Sequence, residues 1–201
     1  MNALKSGSAL LLAGLLAACA SPSTAPVLMT LPSVAAPANG TAPAAPASAP
    51  LLAVRRVNIP EYLVSRRVRY RADASTLAEW PNTFWAERIE IGVSREFVSA
   101  LRQQLPGWAL CDTNCGDAAP VLSLQVDLVP MDFVRSAGRL QARARIVVST
   151  GSVPPRALKT LESNYDLPAS GDTAQAHALA IGELIRQVAQ AAAPLVNSAP
   201  R

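Results

Sequence analysis

The chain has 201 residues, half of them hydrophobic, and a formal net charge of +4, enough for one domain with a real core plus a tail. One histidine and three cysteines leave little material for a metal centre or a histidine-based catalytic constellation. No glycine-rich phosphate loop is present, which argues against nucleotide-driven chemistry.

At the N-terminus, Lys5 precedes the apolar run Ala9–Ala17, and Leu16-Ala17-Ala18-Cys19 closes it. Charged residue, short apolar stretch and small residues form the layout of a secretory signal. A helix of nine residues rises only about 14 Å, half a hydrocarbon core, so the run is too short to span a membrane. Its ending resembles the lipobox of bacterial lipoproteins. That implies a leader of residues 1–18, a diacylglyceryl group on the Cys19 sulfur, cleavage before Cys19 and acylation of the new amino terminus. One acyl chain binds a membrane reversibly, whereas three would hold the protein to a leaflet. Ala20 and Ser21 follow, with no aspartate to signal inner-membrane retention, so the implied destination is the periplasmic face of the outer membrane. Once Lys5 departs with the leader, Lys159 is the only lysine and arginine carries the positive charge. In an exported, lipid-anchored chain this points to anionic headgroups or an acidic protein surface rather than nucleic acid; a solvated surface without a partner is the alternative.

Residues 19–50 read as a Pro/Ala-rich tether. No charged residue lies between Lys5 and Arg55, and Pro32, Pro37, Pro43, Pro46 and Pro50 stand among alanines, a composition that extends rather than packs. Val27-Leu28-Met29-Thr30-Leu31 is the one apolar cluster there. Read as tether, it gives a leash approaching ~90 Å; read as a first strand over 27–31, it leaves the domain about 20 Å from the bilayer.

The folded domain is expected over 51–195. Ala53–Ile59 reads as a strand ended by Pro60. Arg67-Val68-Arg69-Tyr70-Arg71 alternates, with Val68 and Tyr70 on one face and three arginines on the other. Ala72–Ser75 is a turn into a short return strand over 76–80. Over 85–105, Ile89, Val93, Phe97, Leu101 and Leu105 recur at helical spacing, and Pro106-Gly107 stops the helix. Cys111 and Cys115 flank a segment rich in turn formers. In an oxidising compartment a structural disulfide is favoured over free thiols, with metal binding or redox catalysis behind, and it would stabilise by roughly 2 kcal/mol. Next, Leu122–Leu128 and Leu140–Val148 alternate apolar and polar residues, an antiparallel pair with one solvated face. A weaker strand lies near 159–167. Asp172 can cap a final helix whose buried stripe is Ala178, Ile181, Ile185, Val188 and Ala192, ending near Pro194, with 196–201 as a disordered tail. This order gives an α/β fold: a single layered domain with a mixed, largely antiparallel sheet and two long helices packed on it.

Asn58-Ile59-Pro60-Glu61-Tyr62-Leu63, Arg66–Arg71 and Phe84-Trp85-Ala86-Glu87-Arg88-Ile89 together resemble the ABC-type transport auxiliary lipoproteins, the PqiC-like family. The matching signature residues are Pro60, Glu61, Tyr62 and Leu63, then Tyr70 at the end of a strand, then Trp85, Ala86 and Glu87 opening the long helix. Met29-Thr30-Leu31 resembles the family's first strand, which favours the strand reading of 27–31. The resemblance implies a non-catalytic component of lipid transporters built on MCE-domain proteins. Such a component docks the periplasmic MCE assembly to the outer membrane. Docking onto a ring-like partner would favour a homo-oligomer. No cofactor is implied.

The residues themselves offer little for catalysis. His177 reads as a partly exposed helix residue rather than a base, and no nucleophile elbow exists. Glu87 and Glu90 suit the start of a helix dipole better than paired acid–base work. Trp85 reads as core and Trp80 as either core or interface anchor. Arg67, Arg69 and Arg71 could meet phosphate or carboxylate groups, or could guard an edge strand against aggregation. Two functional alternatives stay open beside lipid transport: an adaptor for other envelope machinery such as lipopolysaccharide assembly, and a periplasmic hydrolase.

Overall fold

The computed structural model describes residues 25–33, 45–46, 48–112, 115–116 and 118–200. The leader, Cys19 and most of the Pro/Ala stretch lie outside them. Eight strands form one sheet: β1 (Val27–Met29), β2 (Leu51–Val54), β3 (Arg67–Arg71), β4 (Leu77–Trp85), β5 (Ala109–Cys111), β6 (Leu122–Val134), β7 (Arg139–Thr150) and β8 (Ala157–Pro168). Among the described residues two α-helices complete the domain, α1 (Ile89–Gln104) and α2 (Ala174–Asn197). The sheet is mixed, and the α/β expectation holds.

β6 is the hub. β7 runs antiparallel along it, and β8 antiparallel along β7. The other edge of β6 is shared: β2 pairs in parallel with Leu122–Leu124 at one end, and β3 meets Val134 at the other. The sheet therefore forks, with β5 beyond β2 on one branch and β4 and β1 beyond β3 on the second.

Alternation decides which face is covered. Leu140, Ala142, Ala144, Ile146 and Val148 of β7 are all at most 5% exposed, while Gln141, Arg143 and Arg145 between them face water. α1 and α2 cover the apolar face and pack on each other. Phe97 and Leu101 from α1, and Ile181, Leu184 and Val188 from α2, fill the layer between. Burial of this kind contributes roughly 25 cal/mol per Å² and holds the two layers together.

Several boundaries differ from the sequence reading, each for a local reason. β2 is four residues long and ends at Val54; beyond it the chain stays tied to β6 only by the Arg55 amide on the Leu124 carbonyl and by the isolated Asn58–Asp127 bridge. β4 continues through Pro81 to Trp85, because Trp80–Thr83 bulge out opposite Val68 while the register resumes at Phe84. Asn82 takes φ +50° there, a conformation asparagine tolerates better than most residues. The helix consequently starts at Ile89, not at residue 85. The amides of Trp85 and Ala86 are held in the sheet by the carbonyls of Arg66 and Met29, at 2.6 and 2.7 Å.

At the last helix the cap is Thr173, whose Oγ1 accepts from the Ala176 amide at 3.0 Å. Asp172 instead pairs with Arg135 at 2.8 Å. Pro194 lies inside α2 rather than at its end. Both it and Gln190, whose carbonyl the proline leaves without an amide donor, are exposed, so water can take that bond. The helix runs on to Asn197, and Val196 and Ala199 are buried, where a disordered tail was expected.

The strand reading of the apolar cluster before the Pro/Ala stretch fits what is seen. β1 pairs in parallel with Thr83–Trp85 of β4. Leu31 behind it is buried and lies against Gly92 of α1, and Pro32 lies against Gly182 of α2. Thr30–Pro32 thus straps both helices, with a glycine under each contact.

Candidate functional site

The signature residues serve mainly to join elements. Glu61–Leu63 form a 3-10 turn, closed by the Leu63 amide on the Pro60 carbonyl at 2.9 Å. The Tyr62 hydroxyl donates to Asp132 Oδ1 of β6 at 2.9 Å. Burial, then the neighbouring Asp132 carboxylate, pushes Tyr62 up to about 12. Tyr70 meets Trp80 edge-on at 4.0 Å between ring centroids and accepts a hydrogen bond from Arg135 at 2.8 Å. Trp85 is buried, Ala86 is exposed, and Glu87 pairs with Arg95 at 2.6 Å. Cys111 and Cys115 are bonded, with Cα atoms 5.2 Å apart.

The three arginines of β3 are tied to the chain's own acids. Arg67 and Arg69 reach Glu79 at 3.3 and 3.1 Å, and Arg71 reaches Asp132 at 3.1 Å. β3 pairs along one side with β4 and meets β6 only at Arg71–Val134, so the edge-strand reading of Arg67 and Arg69 stands beside these ion pairs.

His177 also departs from expectation. It is 3% exposed, stacked on Phe133 at 4.7 Å and flanked by Trp85 and Trp80 at 6.3 and 6.4 Å. Burial pushes its imidazole down to about 3. It is a neutral core ring without access to a substrate. The signal was present in the sequence: His177 sits one helical turn before Ile181 on the same stripe.

The concave feature that sequence reading did not assemble is a cleft of about 290 Å³ between α1 and the chain leaving β2. α1 presents Ile91, Arg95, Val98 and Arg102 at intervals of three to four residues, one stripe along the helix. Arg55 and Arg56 stand on the opposite wall. Ser94 fastens the two walls, accepting the Val57 amide at 3.1 Å and donating to the Glu90 carbonyl at 2.7 Å. The Arg55 amide is anchored to the Leu124 carbonyl at 2.9 Å.

Charge in the cleft is unevenly compensated. Glu87 foremost, with Glu96, holds Arg95 firmly protonated. Arg55, Arg56 and Arg102 enter no ion pair with the described residues, and all three are exposed. Among the described residues Asp112 is the single acid on the lining. The Ser94 hydroxyl is engaged on both sides, and the guanidinium groups around it suit binding an anion. Signals existed in the Arg55-Arg56 doublet and the seven-residue step from Arg95 to Arg102, but no local rule brings a post-strand doublet onto a helix flank. Among the described residues no cluster of His, Cys, Asp and Glu could hold a metal ion, and no helix is long and apolar enough to cross a membrane.

A family model described as ABC-type transport auxiliary lipoprotein component matches residues 30–193. The chain belongs to that family. In this auxiliary lipoprotein the matched span takes in the strap, the whole of α1, α2 as far as residue 193 and every lining residue of the cleft. Solved structures share the fold. A crystal structure of an uncharacterized protein superposes with a TM-score of 0.67 at 18% identity, covering 86% of this chain and 99% of that one. Protein XCC0632 from Xanthomonas campestris, of family DUF330, gives a TM-score of 0.59 at 17% identity, covering 87% and 94%. No curated protein matches the auxiliary lipoprotein.

Proposed function

We propose that this chain is a non-catalytic, lipid-anchored subunit of an ABC-type lipid transport system, docking a periplasmic MCE-domain assembly to the outer membrane and so supporting membrane integrity. Membership of the auxiliary lipoprotein family over residues 30–193, with Leu16-Ala17-Ala18-Cys19 a short way upstream, carries the reading. The leader ends at residue 18, Cys19 takes the lipid, and the next residues reach the domain through β1. The Cys111–Cys115 disulfide suits an oxidising compartment. Burial of His177, the only histidine, supports a role in assembly rather than hydrolysis, since it keeps the one imidazole from serving as a general base.

The test is to crosslink the full-length lipidated chain in its own membranes, purify it in mild detergent and identify what comes with it by mass spectrometry. An MCE-domain protein with its permease and ATPase is the expected company. Recovery of lipopolysaccharide-assembly proteins instead, or of no transport protein under crosslinking, overturns the reading.

A further inference from the structure

We propose that the arginine cleft between α1 and the β2 exit is the docking site for an acidic, partly apolar segment of a periplasmic protein partner. The assignment rests on the reading of the chain as a docking subunit and names the surface and the chemistry of its partner. Three guanidinium groups outside any ion pair with the described residues, from Arg55, Arg56 and Arg102, rim the cleft against one acid, Asp112, and Ile91 and Val98 line it with apolar surface, Ile91 being 41% exposed. From Ile91 to Arg102 the stripe is about 16 Å long at the rise of an α-helix, the reach of some five extended residues. Carboxylates spaced along such a segment can meet guanidinium groups on both walls while an aliphatic side chain covers Ile91 and Val98.

The occupant is not this chain's own terminus. Residues outside the described part contain one acid, Asp117, and neither the N-terminal 24 residues nor 34–44 contain any. Nor does a membrane surface fit as well. A bilayer is flat on this scale, whereas these charges stand on the facing walls of a concavity. An acidic peptide segment fits length, charge and apolar floor together.

Two measurements test this. In the first, the full-length chain in mild detergent is titrated by fluorescence anisotropy with a labelled synthetic decapeptide of Glu and Leu, against Arg55→Glu/Arg102→Glu and the charge-matched control Arg143→Glu/Arg156→Glu, whose two residues stand outside the cleft lining. The first variant should weaken binding about tenfold or more, the control should change it less than about twofold, and affinity should fall as salt rises. In the second, the same variants replace the wild type in the detergent-purified complex. Loss of the periplasmic partner with Arg55→Glu/Arg102→Glu alone is expected. Equal peptide binding by all three proteins overturns the proposal, as does capture of the chain by phosphatidylglycerol vesicles through these arginines with no peptide binding. Retention of the partner by the first variant also overturns it while leaving the docking function standing. If the wild type recovers no transport protein, the docking function fails, and the proposal with it. Thermal unfolding of each variant checks that these exposed substitutions leave the fold intact.

Discussion

An imidazole buried against Phe133 and two tryptophans is a proton acceptor that folding disables. The folded ring titrates near 3 in place of its ordinary 6.5, through desolvation, and the one charged side chain lining the same small cavity is Arg69, a cation. Below pH 6.5 the unfolded chain takes up a proton that the folded chain refuses. Stability is therefore full above pH 6.5 and falls as pH drops toward 3, by up to ~1.4 kcal/mol per unit. Urea unfolding at pH 7 and pH 5 should differ by about 2 kcal/mol from this group, and His177→Leu should remove that part of the difference. An unchanged difference in the variant would assign the pH dependence elsewhere. Residue-level reading of the sequence placed Trp85 in the core but left His177 half outside, because a polar residue among alanines was weighed by its chemistry. Its spacing from Ile181, Ile185 and Val188 carried the truer signal.

Elements were legible wherever one face is wet. β6, β7 and α1's buried stripe declare themselves through periods of two and 3.6, since every second or every third to fourth residue must be apolar. β4 reads short for the opposite reason: Pro81 and Asn82 look like a turn, and the strand beyond the bulge is fixed by β1, whose partners Val27 and Thr83 lie 56 residues apart. The strap over the helices is equally non-local. A Cβ on Gly182 would sit 2.5 Å from Pro32 Cγ, a contact no rotamer change relieves in a rigid ring. Gly182→Ala should therefore cost about 1–3 kcal/mol in thermal or urea unfolding and make residues 25–33 open to limited proteolysis. Gly107→Ala, whose added methyl meets nothing within 4 Å, should do neither. Intact protection of the strap in Gly182→Ala would show that helix α2 can shift to absorb the methyl group.

Across the whole molecule, fold class and family were readable from short motifs in order, while the cleft was not. It depends on the forked sheet, which brings the exit of β2 against the flank of α1, and no periodicity encodes that approach. Cys19 belongs to this scale because it decides where the domain works. Cys19→Ala should abolish incorporation of labelled palmitate and move the protein from the membrane pellet to the soluble fraction, as fractionation and immunoblotting would read; a variant still pelleting with membranes would assign attachment to another part of the chain. With the anchor in place, the first described element on the way from the bilayer is β1, lying parallel to β4, followed by Pro32 lodged against Gly182. Tension arriving from the membrane would pull along that strand, loading its hydrogen bonds in shear so that they yield together rather than peel one by one. The domain's mechanical strength would then reside in this short splice and its proline stop.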